Sequence, residues 1–406
     1  MARRHEAITN LRLIRRGHYN GALMASEFDI CIRGAGIVGR SLALLLARER
    51  MRVALVDTAA APSNSGHSDV RAYALNQLSR ELLQSVRSWP DAASATPVTR
   101  MDVYGDAGGE VHFDAHQQGV EALNWIVDVP ALEAQLAAAV RYQPMVEVVN
   151  TPVHASLTVV CEGKHSRTRD EFGVEFTTLP YHQTAIATRV RCALHHGQSA
   201  RQWFSPAGDI LAFLPLGGEG GNEVAVVWSL PVAQVPALKD MSDDDFATAL
   251  QSASQGVLGD LTVIADRASW PLQQSVARQW CGAMPGSADQ RTPSSWVLAG
   301  DSAHAVHPLA GQGLNLGMAD IAALARLLTS EDARWRHLGD LRQLRRYERE
   351  RKARLAPIGL AMDSIQQLFT RPELPLANLR NWGMRSFEHS GPLKGWVTRQ
   401  AMGVNF

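Results

Sequence analysis

Cysteine is scarce in this chain. Four residues in 406, Cys31, Cys161, Cys192 and Cys281, lie far apart with no CxxC pair. That argues against a zinc ribbon or a disulfide framework and suits a reducing compartment. Net charge is also missing: 40 basic side chains balance 40 acidic ones. No global field therefore points to nucleic acid. No uncharged apolar run reaches the roughly 18 residues of a membrane span, so no transmembrane helix is expected. The N-terminus has no apolar core of the kind a secretory signal needs. It is basic instead, with Arg3, Arg4, Arg12, Arg15 and Arg16 against Glu6 alone. Residues 1–26 read as a disordered basic extension, with Met24 as the natural start.

What is present is enough hydrophobic residue, 46%, to bury a large core in two or three domains. The stretch "EFDICIRGAGIVGRSLALLLARERMRVALVD" (27–57) reads as strand, helix, strand. Gly34, Gly36 and Gly39 stand at GxGxxG spacing between the first strand and the helix. Gly34 permits the tight turn, Gly36 lets backbone approach a pyrophosphate, and Gly39 with Ala43 lets helix and strand pack closely. Free N–H groups at the helix start favour an anion. Asp57, ending the second strand, can accept from an adenosine ribose, which favours FAD or NAD over NADP.

Further along, residues 71–90 read as a helix and 101–115 as a hairpin with a Gly-Gly turn. Residues 129–142 read as an amphipathic helix opened by a proline. Residues 174–230 read largely as antiparallel sheet, and "LKDMSDDDFATALQ" as one helix with an acidic first turn. After the strand "SWVLAG" the chain reads as almost entirely helical. The basic run "RWRHLGDLRQLRRYERERKARL" reads as a solvated helix face, or as a contact for a membrane surface or partner.

The segment "GDSAHAVHPLAGQGLNLG" (300–317) pairs two histidines, His304 and His307, with a glycine-rich turn. Metal ligation is the obvious alternative, but Pro308 disfavours helical geometry at His307 and no thiol is near in sequence. Backbone use fits better. Asp301 sits at the carboxyl end of a strand, where open α/β sheets bind ligands, and the helix after the turn offers its N-terminus. The two histidines then serve as hydrogen-bonded supports.

"GAGIVG", "RAYALN", "CEGKHSRTR", "YHQTA", "PLKGWVTRQAMG" and above all "GDSAHAVHPLAGQGLNLGMAD" resemble the FAD-dependent aromatic hydroxylases of the para-hydroxybenzoate hydroxylase superfamily. The ubiquinone-biosynthesis branch is the best match, over roughly residues 27 to 403. The resemblance implies an α/β fold: a Rossmann-like FAD-binding domain interleaved with an antiparallel-sheet substrate domain, plus a C-terminal helical region. The FAD-binding parts are expected at 27–97, 125–182 and 290–345. The substrate parts are expected at 98–124 and 183–289, and the helical region at 346–406.

By the same resemblance, Gly34, Gly36, Gly39 and Asp57 hold the ADP part of FAD, and Arg71 approaches its phosphates. Asp301 binds the ribityl chain. The turn carrying Gly311, Gln312, Gly313, Leu314 and Asn315 offers backbone N–H groups to the flavin ring. Pro308 lies beside the substrate ring, and His307 stands next to it as a candidate catalytic residue. Phe213, Leu214 and Trp228 are apolar candidates for the substrate pocket, with ordinary core as the alternative. Two positions depart from the pattern: Glu162 replaces the usual aspartate before Gly163, and Val129 falls where relatives place a polar residue.

The implied activity is a FAD-dependent monooxygenase using NAD(P)H and O2. It would hydroxylate a polyprenylated phenol in ubiquinone biosynthesis through a flavin C4a-hydroperoxide. Hydroxylation of a small soluble aromatic, or a non-catalytic FAD-holding subunit of a biosynthetic complex, are the alternatives. The implied partners are a hydrophobic aromatic substrate and O2, then other quinone-pathway proteins or the membrane surface, and no nucleic acid. The expected location is the cytoplasm, peripheral to the inner face of the membrane.

Overall fold

The computed structural model describes residues 28–58, 69–106, 108–286, 294–305, 312–331, 337–370, 383–391 and 394–395. The expected basic extension at 1–26 lies outside the described residues. In chain order the first half holds β1 (Phe28–Arg33), α1 (Ile37–Arg48), β2 (Val53–Val56), β3 (Ala72–Leu75), α2 (Gln77–Ser85), β4 (Ala95–Val98), β5 (Arg100–Tyr104), β6 (Glu110–Asp114), β7 (Asn124–Asp128), α3 (Val129–Arg141), β8 (Val146–Val149), β9 (Ala155–Val160) and α4 (Arg167–Glu171). The second half holds β10 (Phe176–Cys192), β11 (Ser199–Phe204), β12 (Ile210–Leu216), β13 (Glu223–Pro231), α5 (Val235–Asp240), α6 (Asp243–Ala253), β14 (Leu261–Val263), β15 (Ala268–Ala277), β16 (Cys281–Ala283), β17 (Ser295–Leu298), β18 (His304–Ala305), α7 (Gln312–Thr329) and α8 (Leu341–Thr370).

Three sheets organise these elements. The first has six strands in the order β16-β17-β9-β1-β2-β8, all parallel except the edge strand β16. Its inner strands are continuous apolar runs, as a sheet buried on both faces requires: every residue of β2 and β17 is buried. Leu42 and Leu46 of α1, Leu132 and Leu136 of α3, and Ile321 and Leu324 of α7 share one core with Ile30, Ile32 and Leu55 of this sheet.

The three-stranded sheet β3-β7-β4 lies beyond those helices. Its alternation gives it two duties. Leu75, Trp125 and Val127 join the helical core, whereas Ala74 and Ile126 join a second core with Ala200, Leu216 and Ala225. Those last three belong to the largest sheet, of nine strands, in the order β18-β15-β10-β13-β12-β11-β5-β6 with β14 beside β10. The far face of that sheet packs Ile186, Phe213 and Trp228 on Leu238, Phe246 and Leu250 of α5 and α6.

Two helix readings need correction. The helix expected over 71–90 begins only at Gln77, because Ala72–Leu75 is claimed by β7 as a strand. Asn76 marks the change and caps the helix, accepting from Ser79 N at 3.0 Å. The helix expected over "LKDMSDDDFATALQ" is two helices, since Ser242 starts a new one by accepting from Asp245 N at 3.1 Å. The 101–115 hairpin and the proline-opened helix form as read. "SWVLAG" does supply a strand, and that strand returns to the first sheet beside β9.

Gly39 shows how tightly the first turn is built. A Cβ there would sit 1.9 Å from the Gly34 carbonyl oxygen, which is backbone and has little freedom to yield. Overpacking of this kind outweighs the helix propensity that alanine brings. Gly39→Ala is expected to cost about 2 kcal/mol net, read as a lower urea midpoint of the flavin-free protein. An unchanged midpoint would contradict the close approach.

Candidate functional site

A cavity of about 1010 Å³ opens between the first sheet and the near face of the nine-stranded sheet. Gly34, Gly36, Asp57, Arg71, Asp301, Gly313 and Leu314 all line it, although they come from widely separated parts of the chain. Gly39 does not line the cavity; it packs beneath, against Gly34. Asn315 turns away. Its Oδ1 accepts from Asn76 N and Ser79 Oγ, and its Nδ2 donates to Ala74 O at 2.7 Å, so it ties α7 to the start of α2. Pro308, His307 and Gly311 lie outside the described residues.

The cofactor half follows from local chain chemistry. Gly34 adopts φ +110°, and a Cβ there would meet the Cys161 carbonyl oxygen at 2.6 Å, so β1 can turn only with glycine. Gly36 is the N-cap of α1 and supplies no side-chain cap, which leaves first-turn N–H groups without a partner from it. A Cβ at Gly36 would meet nothing within 4 Å, so the space above it belongs to the cavity. Asp57 ends β2 and pairs with Arg40 at 3.5 Å. Arg71 donates through Nε to Asp69 and lies 3.5 Å from Glu133. Its segment is held by Arg189 of β10, which pairs with Asp128 at 2.9 Å and donates to Val70 O and Asp69 O.

Asp301 follows β17; its side chain is exposed to the cavity, while protein atoms crowd around its carboxyl. Burial pushes its carboxyl above the usual range, against the pull of His304 and Lys164. It has no hydrogen-bond partner among the described residues. His304, expected as a support, places Nε2 2.6 Å from Asp320 Oδ2 and stacks on Trp280.

Glu162, the first departure from the family pattern, spends its carboxylate on the chain. It accepts from Ser166 Oγ, Thr168 N and Thr168 Oγ1 at 2.6–3.0 Å and organises the start of α4. Val129, the second, is fully buried at the start of α3. Sequence reasoning did not single out Arg40, Lys164 or Arg189. The quoted "CEGKHSRTR" contains Lys164, but Arg189 lies mid-strand and carries no local signal.

The sheet half is different in character. Phe213 and Trp228, expected in the pocket, face the opposite side and pack on α6; of the three candidates only Leu214 lines the cavity. Register explains this. Gln202, Ala212, Val227 and Ala187 form one cross-strand row, and their chain neighbours Trp203, Phe213, Trp228 and Ile186 form the far-face core. The cavity side is therefore paved with small residues: Ala187, Ala200, Ala212 and Ala225.

Fold and site together define a two-domain dinucleotide-binding protein whose cavity joins a charged cofactor half to an apolar half. The chain belongs to the FAD binding domain family, which matches residues 133–358. It is 29% identical over 403 residues to the 3-demethoxyubiquinol 3-hydroxylase of Escherichia coli (strain K12), covering 93% of this chain and 98% of that one. It is 28% identical to the ubiquinone hydroxylase UbiL of Rhodospirillum rubrum, covering 93% and 90%. The p-nitrophenol 4-monooxygenase PnpA of Pseudomonas putida DLL-E4 shares the fold, with a TM-score of 0.69, 18% identity and coverage of 93% and 97%. The residues present fit FAD: open space over Gly36, a helix start without a side-chain cap, and the Asp57 carboxylate on the cavity wall. Asp301, which has no hydrogen-bond partner among the described residues, adds an acceptor to the lining of the same cavity.

Two outcomes are expected. Gly36→Val places a branched side chain in pyrophosphate space, so the purified protein should lose its flavin while its fold persists; unchanged flavin content contradicts the placement. Asp301→Asn separates binding from stability. A carboxyl whose folded pKa is raised stabilises the fold only at low pH, and that contribution is lost as pH rises through the folded value. The variant should therefore hold less flavin, yet its flavin-free form should melt higher than the parent at pH 7. The gain should vanish below about pH 4, the ordinary aspartate value. A lower melting temperature at pH 7 contradicts this.

Proposed function

We propose that this protein is a FAD-dependent monooxygenase that hydroxylates the ring of a polyprenylated phenol in ubiquinone biosynthesis, using NAD(P)H and O2. One observation carries the choice of substrate. Among the described residues, the sheet half of the cavity is lined by apolar and neutral polar side chains, with no charged group: Met101, Phe113, Ala212, Leu214, Trp270 and Leu272 are typical. Placing a carboxylate there without a partner costs several kcal/mol, roughly 2 or more even by lenient scales. A small aromatic acid is thereby disfavoured, and a neutral ring with an apolar tail is favoured. The hydroxylase names of the relatives support the same reading.

When bound and reduced, FAD supplies the chemistry that activates O2 for transfer to an electron-rich ring. The chain's own residues do the rest. Gly36 and the start of α1 receive the pyrophosphate, and Asp57 receives the ribose. Gly313 and Leu314, at the start of α7, line the cavity, and backbone N–H groups of that helix start would stabilise negative charge on the cofactor. The alanine-paved sheet excludes water and positions the ring. Pro308 and His307, the candidates for contact with that ring, lie outside the described residues. No helix among the described residues is long and apolar enough to cross a membrane. A lipid-dissolved substrate places the protein in the cytoplasm, peripheral to the inner face of the membrane, alongside other quinone-pathway proteins.

The purified protein should be yellow. Its NAD(P)H oxidation should be stimulated at least tenfold more by a prenylated phenol than by 4-hydroxybenzoate, and a deletion strain should accumulate a less hydroxylated quinone precursor. A reversed substrate preference, or an unchanged quinone profile, would overturn the reading.

A further inference from the structure

The near face of the nine-stranded sheet holds two polar side chains that the fold does not use. Gln202 on β11 and Ser229 on β13 are both buried, and both line the cavity. Neither side chain has a hydrogen-bond partner among the described residues. Their neighbours in the same face are Ala185, Ala187, Ile210, Ala212 and Val227, which offer no polar atom beyond backbone already paired in the ladder. An amide and a hydroxyl that no side chain engages, and that line the cavity, leave their hydrogen-bonding capacity to whatever fills it.

Their placement is set by register. Gln202 pairs with Ala212, which pairs with Val227, and Ser229 lies two residues further along the same strand as Val227. Two strand spacings and a two-residue step separate the Cα atoms by roughly 12 Å. Two hydrogen bonds of about 2.8 Å each leave room for a six-membered ring between the side chains. Ala212 and Ile210, two residues apart on β12, lie between them; Ala212 raises no branch against a ring, and Ile210 offers an aliphatic side chain for it to pack on.

We propose that Gln202 and Ser229 form the specificity subsite of the cavity, each binding an oxygen substituent at opposite ends of a neutral aromatic ring. This deepens the substrate reading above and rests on it. Amide and hydroxyl can each donate or accept, so the pair suits phenol and ether oxygens. Neither supplies the positive charge that a ring carboxylate would need in so apolar a setting.

The test uses the flavin-loaded protein and two probes: 2-geranyl-4-methoxyphenol, and geranylbenzene, which has no ring oxygen. Kd is read from the perturbation of flavin absorbance. The parent should bind the oxygenated ring more tightly. Gln202→Leu and Ser229→Ala should each weaken that ring about tenfold, as for one lost hydrogen bond, and leave geranylbenzene within about twofold. Ser229→Ala removes a single atom, so it keeps the test open if the larger change disturbs the fold. Equal weakening of both probes would show a merely structural role and overturn the inference, as would variants that keep the parent's preference. If the parent binds neither probe, the substrate reading falls and takes the inference with it.

Discussion

One buried carboxylate sets the geometry on which both halves of the cavity depend. Asp320 of α7 is fully buried and accepts from Gly300 N at 2.9 Å, His304 Nε2 at 2.6 Å and Arg351 Nε at 2.7 Å. Burial alone would push its carboxyl up, but His304 and Arg351 outweigh that and hold it below the usual range. Each partner comes from a different place. Gly300 lies just past β17, the strand that returns to the parallel sheet, and His304 lies in β18 at the edge of the nine-stranded sheet. Arg351 belongs to α8. A carboxylate in this setting is tolerated only with all its donors in place, because removing one leaves charge uncompensated in a poor solvent. The two sheets are therefore referenced to one another through a single side chain, and Asp301 is carried on the span between them.

The cavity that results is electrically divided. Charged lining residues, among them Asp57, Arg71, Lys164 and Asp301, stand on the side where a dinucleotide would lie. The opposing sheet offers alanine, leucine and a few neutral polar groups. That division matches the chemistry asked of each half. A diphosphate and its sugars need donors and acceptors, whereas a ring awaiting oxygen needs a dry, flat and weakly polar surface.

What was legible in the sequence follows from how local each feature is. "GAGIVG" with its strands and Asp57 could be read because turn, helix start and acid all lie within one βαβ unit. Asp301 was legible for the same reason, as the residue after a buried strand. The strand at Ala72–Leu75 was not, since a long-range pairing to β7 overrode a sequence that continues smoothly into a helix. Phe213 and Trp228 misled for a different reason. Alternation separates them from Ala212 and Val227, but only the packing of α5 and α6 decides which face is core. Of the two readings open for Phe213 and Trp228, pocket wall and ordinary core, packing selects the core, and the small residues beside them form the wall.

The sequence by itself determined a dinucleotide fold, its FAD half and the family, because backbone turns and helix starts are written in short spans of glycine, apolar and acidic residues. Only the tertiary structure decided which sheet face lines the cavity, that Asn315 and Glu162 tie the chain together, and that Gln202 and Ser229 share one surface. Those facts depend on strand register and on side chains brought together from distant segments, as with Asn315 and Asn76 at 3.0 Å. No spacing along the chain encodes such distances; they exist only once the sheets have paired and the helices have covered them.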